Sequence, residues 1–106
     1  MVIPLLSEKL ADKDPGIRAI AAETLADLGD SARKSVPKLL LAMQDSNSLV
    51  RINAARAVFR ARPEAVRRAM PALLKMLGDP NPAARQSAIE LLASSGSAGV
   101  ADSKRL

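Results

Sequence analysis

The chain has 106 residues, a net charge of +5, no cysteine and no histidine. These absences exclude disulfides and thiolate chemistry, and they remove the commonest metal ligand and general base near neutral pH. We therefore expect no enzyme activity, no catalytic residue, no metal and no cofactor. Phe59 is the single aromatic residue. A core built from aliphatic side chains and alanine favours closely packed helices over a β-sandwich.

The distribution of hydrophobic and charged residues predicts a soluble, cytoplasmic protein. No run of about 18 apolar residues occurs, so no transmembrane helix is expected, and residues 1–6 lack the basic segment of a signal peptide. Charge is uneven, because residues 33–75 contain ten basic and two acidic side chains, whereas residues 1–32 contain three basic and six acidic ones. A basic centre can indicate an anionic partner.

The first 30 residues predict two amphipathic helices joined by a capped turn. Asp14 and Pro15 place the start of the second helix at about residue 15, because aspartate caps free N–H groups and proline fits the first helical position. Gly29 is expected to end that helix. The apolar residues recur at helical spacing in both segments: Ile3, Leu6 and Leu10, then Ile17, Ala21, Leu25 and Leu28.

The same unit returns twice, after 33 and then 34 residues. Asn47 and Asn81 place the later second helices at about residues 48 and 82, and Arg62 before Pro63 and Gly96 are expected to end them. We predict one domain over residues 1–106, with repeats at about 2–30, 31–63 and 64–96 and a C-terminal tail at 97–106. The period is kept by Pro4, Pro37 and Pro71; Asp12, Asp45 and Asp79; Arg18, Arg51 and Arg85; Ala21, Ala54 and Ala88; and Leu25, Val58 and Leu92.

This unit resembles the HEAT repeat over about residues 2–96. Its first and third copies read IPLLSEKLADKDPGIRAIAAETLADLG and MPALLKMLGDPNPAARQSAIELLASSG, with Pro-x-Leu in the first helix, then Asp, then Arg and spaced alanines. The resemblance implies an all-α fold, a right-handed α-solenoid of three helix pairs with about six helices. It also implies that the second helices line a concave face, and that such surfaces usually bind other proteins and less often nucleic acid.

The recurring aspartates and arginines have two interpretations. Asp12, Asp45 and Asp79 fall at the turn, and an arginine follows each of them six residues later in the first turn of the second helix. The first interpretation is structural: each arginine donates to the turn aspartate of its own or a neighbouring repeat and to loop carbonyls. The second interpretation is a row of ligand-binding arginines.

Two surfaces are candidates for partner binding. The first is the concave face of the second helices, where charges of opposite sign should lie side by side in successive repeats and fix their register; it comprises Asn53, Arg56, Arg60, Glu23, Asp27 and Glu90. The second is a basic loop edge suited to anions, comprising Arg33, Lys34, Arg62, Arg67 and Arg68. We predict a non-enzymatic protein-binding or scaffolding module; the alternative is a nucleic-acid or phosphate-binding module that uses the basic edge.

The two ends of the stack should leave apolar surface exposed. Residues 2–6 are apolar and no polar capping segment precedes them, and residues 94–106 are rich in Ser, Gly and Ala. A stack of repeats needs polar outer faces at its ends. Self-association, a protein partner, or membership of a longer array would each cover this surface, and no membrane partner is expected.

Overall fold

The structure, a computed structural model, describes the backbone of residues 2–103 and the side chains of residues 2–95. Over this part of the chain all regular structure is helical, which confirms the all-α prediction. Two 3-10 helices, Gly29–Ser35 and Pro63–Ala65, separate the helix pairs. The α-helices are α1 (Val2–Lys9), α2 (Pro15–Leu28), α3 (Val36–Ala42), α4 (Ser48–Ala61), α5 (Val66–Met76) and α6 (Pro82–Ser103).

The second helix of each pair begins at the predicted residue because a side chain caps it. Asp14 Oδ1 accepts a hydrogen bond from the Gly16 N–H at 2.8 Å, and Asn47 Oδ1 accepts one from the Leu49 N–H at 2.9 Å. Asn81 Oδ1 makes the equivalent bond to the N–H two residues later, at 2.8 Å. Each bond satisfies a donor that has no partner inside the helix.

The ends of the second helices follow the sequence in two of three cases. α2 ends before Gly29, whose φ of +55° is readily adopted only by glycine. α4 ends at Ala61, because Arg62 precedes proline and is extended. The prediction that Gly96 ends the last helix is wrong, since α6 continues to Ser103. A single glycine costs a helix only about 1 kcal/mol, and no proline follows it in the sequence.

Proline has a different position in the three first helices. Pro37 lies at the start of α3, as its repeat position predicts. Pro71 lies inside α5, which begins five residues earlier, at Val66. The segment between the second and third pairs is a 3-10 helix of three residues, whereas that between the first and second pairs has seven. A shorter connection lets α5 start earlier relative to its proline.

The helices pack as three pairs, α1 with α2, α3 with α4, and α5 with α6, and the second helices contact one another in the order α2, α4, α6. The contact between α2 and α4 is the most extensive. The smallest dimension of the molecule is 17 Å, which corresponds to two layers of helices with axes about 10 Å apart. No described helix combines the length and hydropathy that crossing a membrane requires.

Alanine fills the space where the second helices meet. Ala22, Ala55 and Ala57 are 0% exposed, and such small side chains let two helix backbones approach closely. Larger aliphatic side chains fill the space behind this seam, so the core needs no aromatic ring. The largest fully buried side chains are Leu25, Leu39, Met43, Leu73, Met76, Val36, Val50 and Val58.

The first pair exposes apolar residues whose counterparts are buried. Ile17 is 41% exposed, while its counterpart Val50 is 0% exposed. Likewise Leu28 is 38% exposed and its counterpart Ala61 is 0% exposed. The counterparts belong to a pair that follows another pair, whereas no pair precedes the first one among the described residues. The apolar stripe predicted for α2 is therefore only partly buried.

Candidate functional site

Bonds between arginine and aspartate join the turns of successive repeats. Arg18 donates from Nε and Nη2 to Oδ2 and Oδ1 of Asp45, at 2.9 and 3.1 Å. Arg51 donates from Nε to Asp79 Oδ2 at 2.8 Å. Each arginine thus binds the carboxylate of the following repeat. We call these four residues, Arg18, Asp45, Arg51 and Asp79, the Arg–Asp ladder.

The same arginines also bind backbone carbonyls of their own turns. Nη1 of Arg18 donates to the Asp12 carbonyl at 2.7 Å, and Nη1 of Arg51 donates to the Asp45 carbonyl at 2.8 Å. Arg85 makes the equivalent bond to the Asp79 carbonyl at 2.7 Å. The structural interpretation of the arginine column is therefore confirmed: a guanidinium with five donors binds two adjacent turns at once.

Two members of the Arg–Asp ladder, Asp79 and Arg18, lie in surroundings that favour their charged forms. Burial acts to raise the pKa of Asp79, but hydrogen bonds from the Asn81 N–H and the Arg51 guanidinium outweigh it, so this pKa lies below its ordinary value. The hydrogen bond to Asp45 raises the pKa of Arg18. Asp79 and Arg18 therefore take part in the Arg–Asp ladder in their charged forms.

A cleft of about 340 Å³ borders the Arg–Asp ladder between the second and third repeats. Its polar lining includes Asp45, Arg51 and Asp79, which are already bound to one another and to the turns. Lys75 also lines it. Among the described residues, no group of three side chains of the metal-ligating types lies together. The other polar side chains that line the cleft are Gln44 and Ser46.

The predicted concave-face residues, with one exception, share an exposed stripe along the second helices. Glu23 and Asp27 lie on α2 and Glu90 on α6, all exposed, while α4 contributes exposed Arg60 and half-buried Arg56. We call this stripe the second-helix face. Helical spacing predicts this arrangement, because positions three or four residues apart lie on one side of a helix.

The charges of the second-helix face are only partly paired between repeats. Arg60 Nη1 lies 3.9 Å from Asp27 Oδ1, an ion pair between α4 and α2. Among the described side chains, no ion pair within 4.0 Å joins Arg56 to Glu23 or Glu90. Glu90 instead accepts a hydrogen bond from Gln86 Nε2 at 3.2 Å, within α6. Arg56 is thus available to a partner.

Asn53 does not belong to the second-helix face, so its assignment to the exposed concave surface is wrong. Its side chain is 5% exposed, and Nδ2 donates to the Ala19 carbonyl of α2 at 3.0 Å. Asn53 lies on the side of α4 that packs on α2, three residues before the half-buried Arg56. The amide is retained in this seam because a carbonyl of the neighbouring helix satisfies it.

Leu49 was missed as a member of the second-helix face. It is 54% exposed on α4 and precedes Arg56 by seven residues, which places the two on the same side of the helix. Ile52 and Phe59 lie half-buried beside this stripe. The signal in the sequence was the seven-residue spacing, and the face therefore combines apolar and charged side chains.

The basic loop edge is partly neutralised by an acidic residue. Arg33 Nη2 and Arg62 Nε lie 3.3 and 3.4 Å from Glu64 Oε2. Its own backbone N–H, and then the charges of Arg33 and Arg62, lower the pKa of Glu64, so it is ionised at neutral pH. The structure therefore brings together two of the five predicted anion-binding residues around a carboxylate. The other three, which are exposed, are Lys34, Arg67 and Arg68.

A comparison with known families agrees with this geometry. A family model of HEAT repeats matches residues 1–57 and again residues 36–103. The chain belongs to the HEAT-repeat family. The two overlapping matches share the pair α3 and α4, so each spans neighbouring pairs of this HEAT-repeat stack. Members of the family are generally helical scaffolds without enzymatic activity. Among curated proteins, none matches this HEAT-repeat chain.

The Arg60–Asp27 ion pair should contribute little to stability. Its side chains are 54% and 68% exposed, and the atoms are 3.9 Å apart. In a double-mutant cycle with Arg60→Ala and Asp27→Ala, we expect a coupling energy below about 0.5 kcal/mol, because solvent and salt screen exposed pairs. Urea unfolding of the four proteins measures it. A coupling above about 1 kcal/mol would show that the pair fixes repeat register.

Proposed function

We propose that the chain is a protein-binding or scaffolding module that recognises its partner through the second-helix face. Membership of the HEAT-repeat family supports this proposal, because stacked repeats build extended binding surfaces. In the proposed arrangement the three pairs form a right-handed solenoid, and α2, α4 and α6 line its concave side. A partner would then contact all three repeats at once.

The composition of the second-helix face is the observation that carries the proposal. Glu23, Asp27 and Glu90 flank a central helix that presents Arg56 and Arg60 with the exposed side chain of Leu49. Protein interfaces combine apolar contact with charges of both signs that select the partner. A nucleic acid would place its phosphates against the acidic groups of α2 and α6, which opposes binding.

The basic loop edge is the alternative binding surface. Its arrangement of charges supports this role less well than the second-helix face supports protein binding. Glu64 lies between Arg33 and Arg62 within ion-pair distance of both. The chain also has no tyrosine or tryptophan on which a base could stack. A polyanion bound at this edge would depend on Lys34, Arg67 and Arg68 and on salt concentration.

Affinity capture with matched charge reversals tests the proposal. The bait is the full chain, and the test variant carries Arg56→Glu and Arg60→Glu. The control carries Lys38→Glu and Lys75→Glu, the same change of charge on exposed residues of α3 and α5. Proteins that are captured by cross-linking to the wild-type chain should be recovered equally well with the control variant. Their recovery with the test variant should be at least about tenfold lower. Equal recovery with both variants would contradict the proposal that the second-helix face binds the partner.

A polyanion titration separates the alternative. Labelled single- and double-stranded DNA and RNA are titrated with the chain at low salt. We expect no saturable binding, since the face is mixed in charge and the edge is partly neutralised. Binding that weakens steeply with salt and disappears in Arg67→Glu/Arg68→Glu would establish the basic loop edge as the binding surface instead.

A further inference from the structure

Asp12 and Arg85 occupy the same repeat positions as members of the Arg–Asp ladder, but neither belongs to an arginine–carboxylate pair among the described residues. Asp12 Oδ1 accepts the Asp14 N–H at 2.9 Å, the same turn bond that Asp45 and Asp79 make. Its Oδ2 lies 3.7 Å from Lys9 Nζ, where the later aspartates bind an arginine. The turn therefore holds the Asp12 carboxylate as it holds those of Asp45 and Asp79, but no arginine among the described residues binds it.

The opposite end presents that guanidinium. Arg85 uses Nη1 for the carbonyls of Asp79 and Pro80, at 2.7 and 3.2 Å. In Arg18 the remaining donors, Nε and Nη2, bind the next carboxylate. Within the described part of the chain, Arg85 has no carboxylate in ion-pair distance. Asp12 thus provides the carboxylate, and Arg85 the guanidinium, of the type of pair that joins successive repeats.

Apolar surface accompanies Asp12 at the first end. Val2, Leu5, Ile17 and Ile20 are 63%, 62%, 41% and 61% exposed, and we call them the N-terminal end face. The later repeats, each of which follows another pair, bury the counterparts of the two isoleucines. Those counterparts are Val50 and Ala84 for the first isoleucine, and Asn53 and Ser87 for the second, all at most 9% exposed.

Apolar surface accompanies Arg85 at the last end as well. Leu74, Leu77 and Ile89 are 56%, 38% and 59% exposed, and we call them the C-terminal end face. The earlier repeats, each of which is followed by another pair, bury the equivalent positions of Leu77 and Ile89. Those positions are Leu10 and Met43 for the leucine, and Ala22 and Ala55 for the isoleucine, all at most 7% exposed.

We propose that the chain self-associates head to tail, with the C-terminal end face of one copy stacked on the N-terminal end face of the next. Arg85 of the first copy donates to Asp12 of the second, as Arg18 donates to Asp45 within the chain. Lys9 gives up an exposed contact, which costs little. Each junction would bury seven aliphatic side chains that are exposed in the single chain, and this burial stabilises the contact.

Charge selects this orientation over symmetric pairing. Two N-terminal end faces would bring Asp12 against Asp12, and two C-terminal end faces would bring Arg85 against Arg85, so both symmetric dimers are opposed by like charges. A head-to-tail contact uses two different surfaces and leaves both available at the ends of the assembly. The assembly therefore grows with concentration and has no fixed number of subunits. The second-helix face takes no part, so this proposal does not depend on the proposed function.

Sedimentation of charge variants tests the proposal. Wild type is measured from about 10 μM to about 1 mM, the range expected for a small interface, and its average mass should rise throughout. Arg85→Glu and Asp12→Arg should each lower the association constant at least about tenfold. The chain carrying both changes should regain association, because the new acid of one copy meets the new base of the next.

Apolar variants provide a second readout that does not alter the turns. Ile20→Lys should lower association at least about tenfold, whereas Leu41→Lys should not, because Leu41 is 75% exposed on α3 away from both end faces. Circular dichroism confirms that each variant is folded. A wild type that stays monomeric over the whole range overturns the proposal. Association that survives Arg85→Glu, or that Leu41→Lys removes as fully as Ile20→Lys, overturns it equally.

Discussion

Replacing Asp79 by asparagine should lower the free energy of unfolding by about 3 kcal/mol, as removal of one partner from a buried ion pair usually does. Asparagine keeps the size of the side chain and an acceptor for the Asn81 N–H. It removes the charge that the Arg51 guanidinium binds at 2.8 Å. That guanidinium is only 17% exposed, so water cannot fully replace the lost carboxylate. Urea unfolding followed by circular dichroism measures the loss.

Asp12→Asn is the matched control for this change. Asp12 occupies the same repeat position and makes the same turn bond to an N–H, but no arginine of a preceding repeat reaches it among the described residues. We expect its replacement to cost less than about 1 kcal/mol. Equal losses for Asp12→Asn and Asp79→Asn would mean that the turn, and not the Arg–Asp ladder, is responsible.

At acid pH, wild type and Asp79→Asn should have the same free energy of unfolding. The pKa of Asp79 is lower in the folded chain than in the unfolded chain. Its stabilisation is therefore fully present above the unfolded pKa of about 3.9 and is lost as the pH falls through the folded pKa. Unfolding measured at neutral pH and at successively lower pH should show the two proteins converging. A constant difference would contradict an ionic origin.

Replacing Ala22 by isoleucine should destabilise the chain by about 2–3 kcal/mol, because the seam between α2 and α4 has no room for three more carbon atoms. Ala22 is 0% exposed, and so is its counterpart Ala55. The larger side chain would force the helices apart and weaken their packing against the core. Urea unfolding at low protein concentration measures the loss, and circular dichroism tests whether helix content is retained.

The third repeat supplies the control, since isoleucine already occupies the equivalent position there. Ile89 is 59% exposed on α6, so Ile89→Ala should change the unfolding free energy of the monomer by less than about 0.5 kcal/mol. A tolerated Ala22→Ile would show that the second helices are not closely packed. A large loss from Ile89→Ala would show that the C-terminal end face is covered within the chain.

Local chemistry made the helix starts and the role of the arginines predictable. Asp14, Asn47 and Asn81 mark the starts of α2, α4 and α6, because a cap acts on N–H groups two or three residues away. The arginine column indicated bonds at the turn. It did not indicate that the carboxylate belongs to the following repeat, because that choice depends on how the pairs stack. The 33- and 34-residue periods alone do not specify the direction of stacking.

Features that depend on packing between repeats could not be predicted. Asn53 was assigned to the exposed face because it is polar, yet helix phase places it in the seam with α2. Ile17 belongs to the apolar stripe predicted for α2, yet it is 41% exposed. Gly96 was expected to end α6, but the helix continues to Ser103, because the cost of a single glycine is small. For Asn53, the position relative to a neighbouring helix outweighed residue type.

A double-mutant cycle between Arg51 and Asp79 tests most directly whether arginine–aspartate bonds hold successive repeats together. Arg51→Met keeps much of the side-chain volume, Asp79→Asn keeps the turn bond, and urea unfolding is measured for both single variants and the double variant. The matched cycle uses Arg85→Met, since Arg85 binds the backbone carbonyls of Asp79 and Pro80 and not the Asp79 carboxylate. We predict a coupling energy of about 2 kcal/mol for Arg51 with Asp79 and below about 0.5 kcal/mol for Arg85 with Asp79. Additive effects for Arg51 and Asp79 would contradict the account.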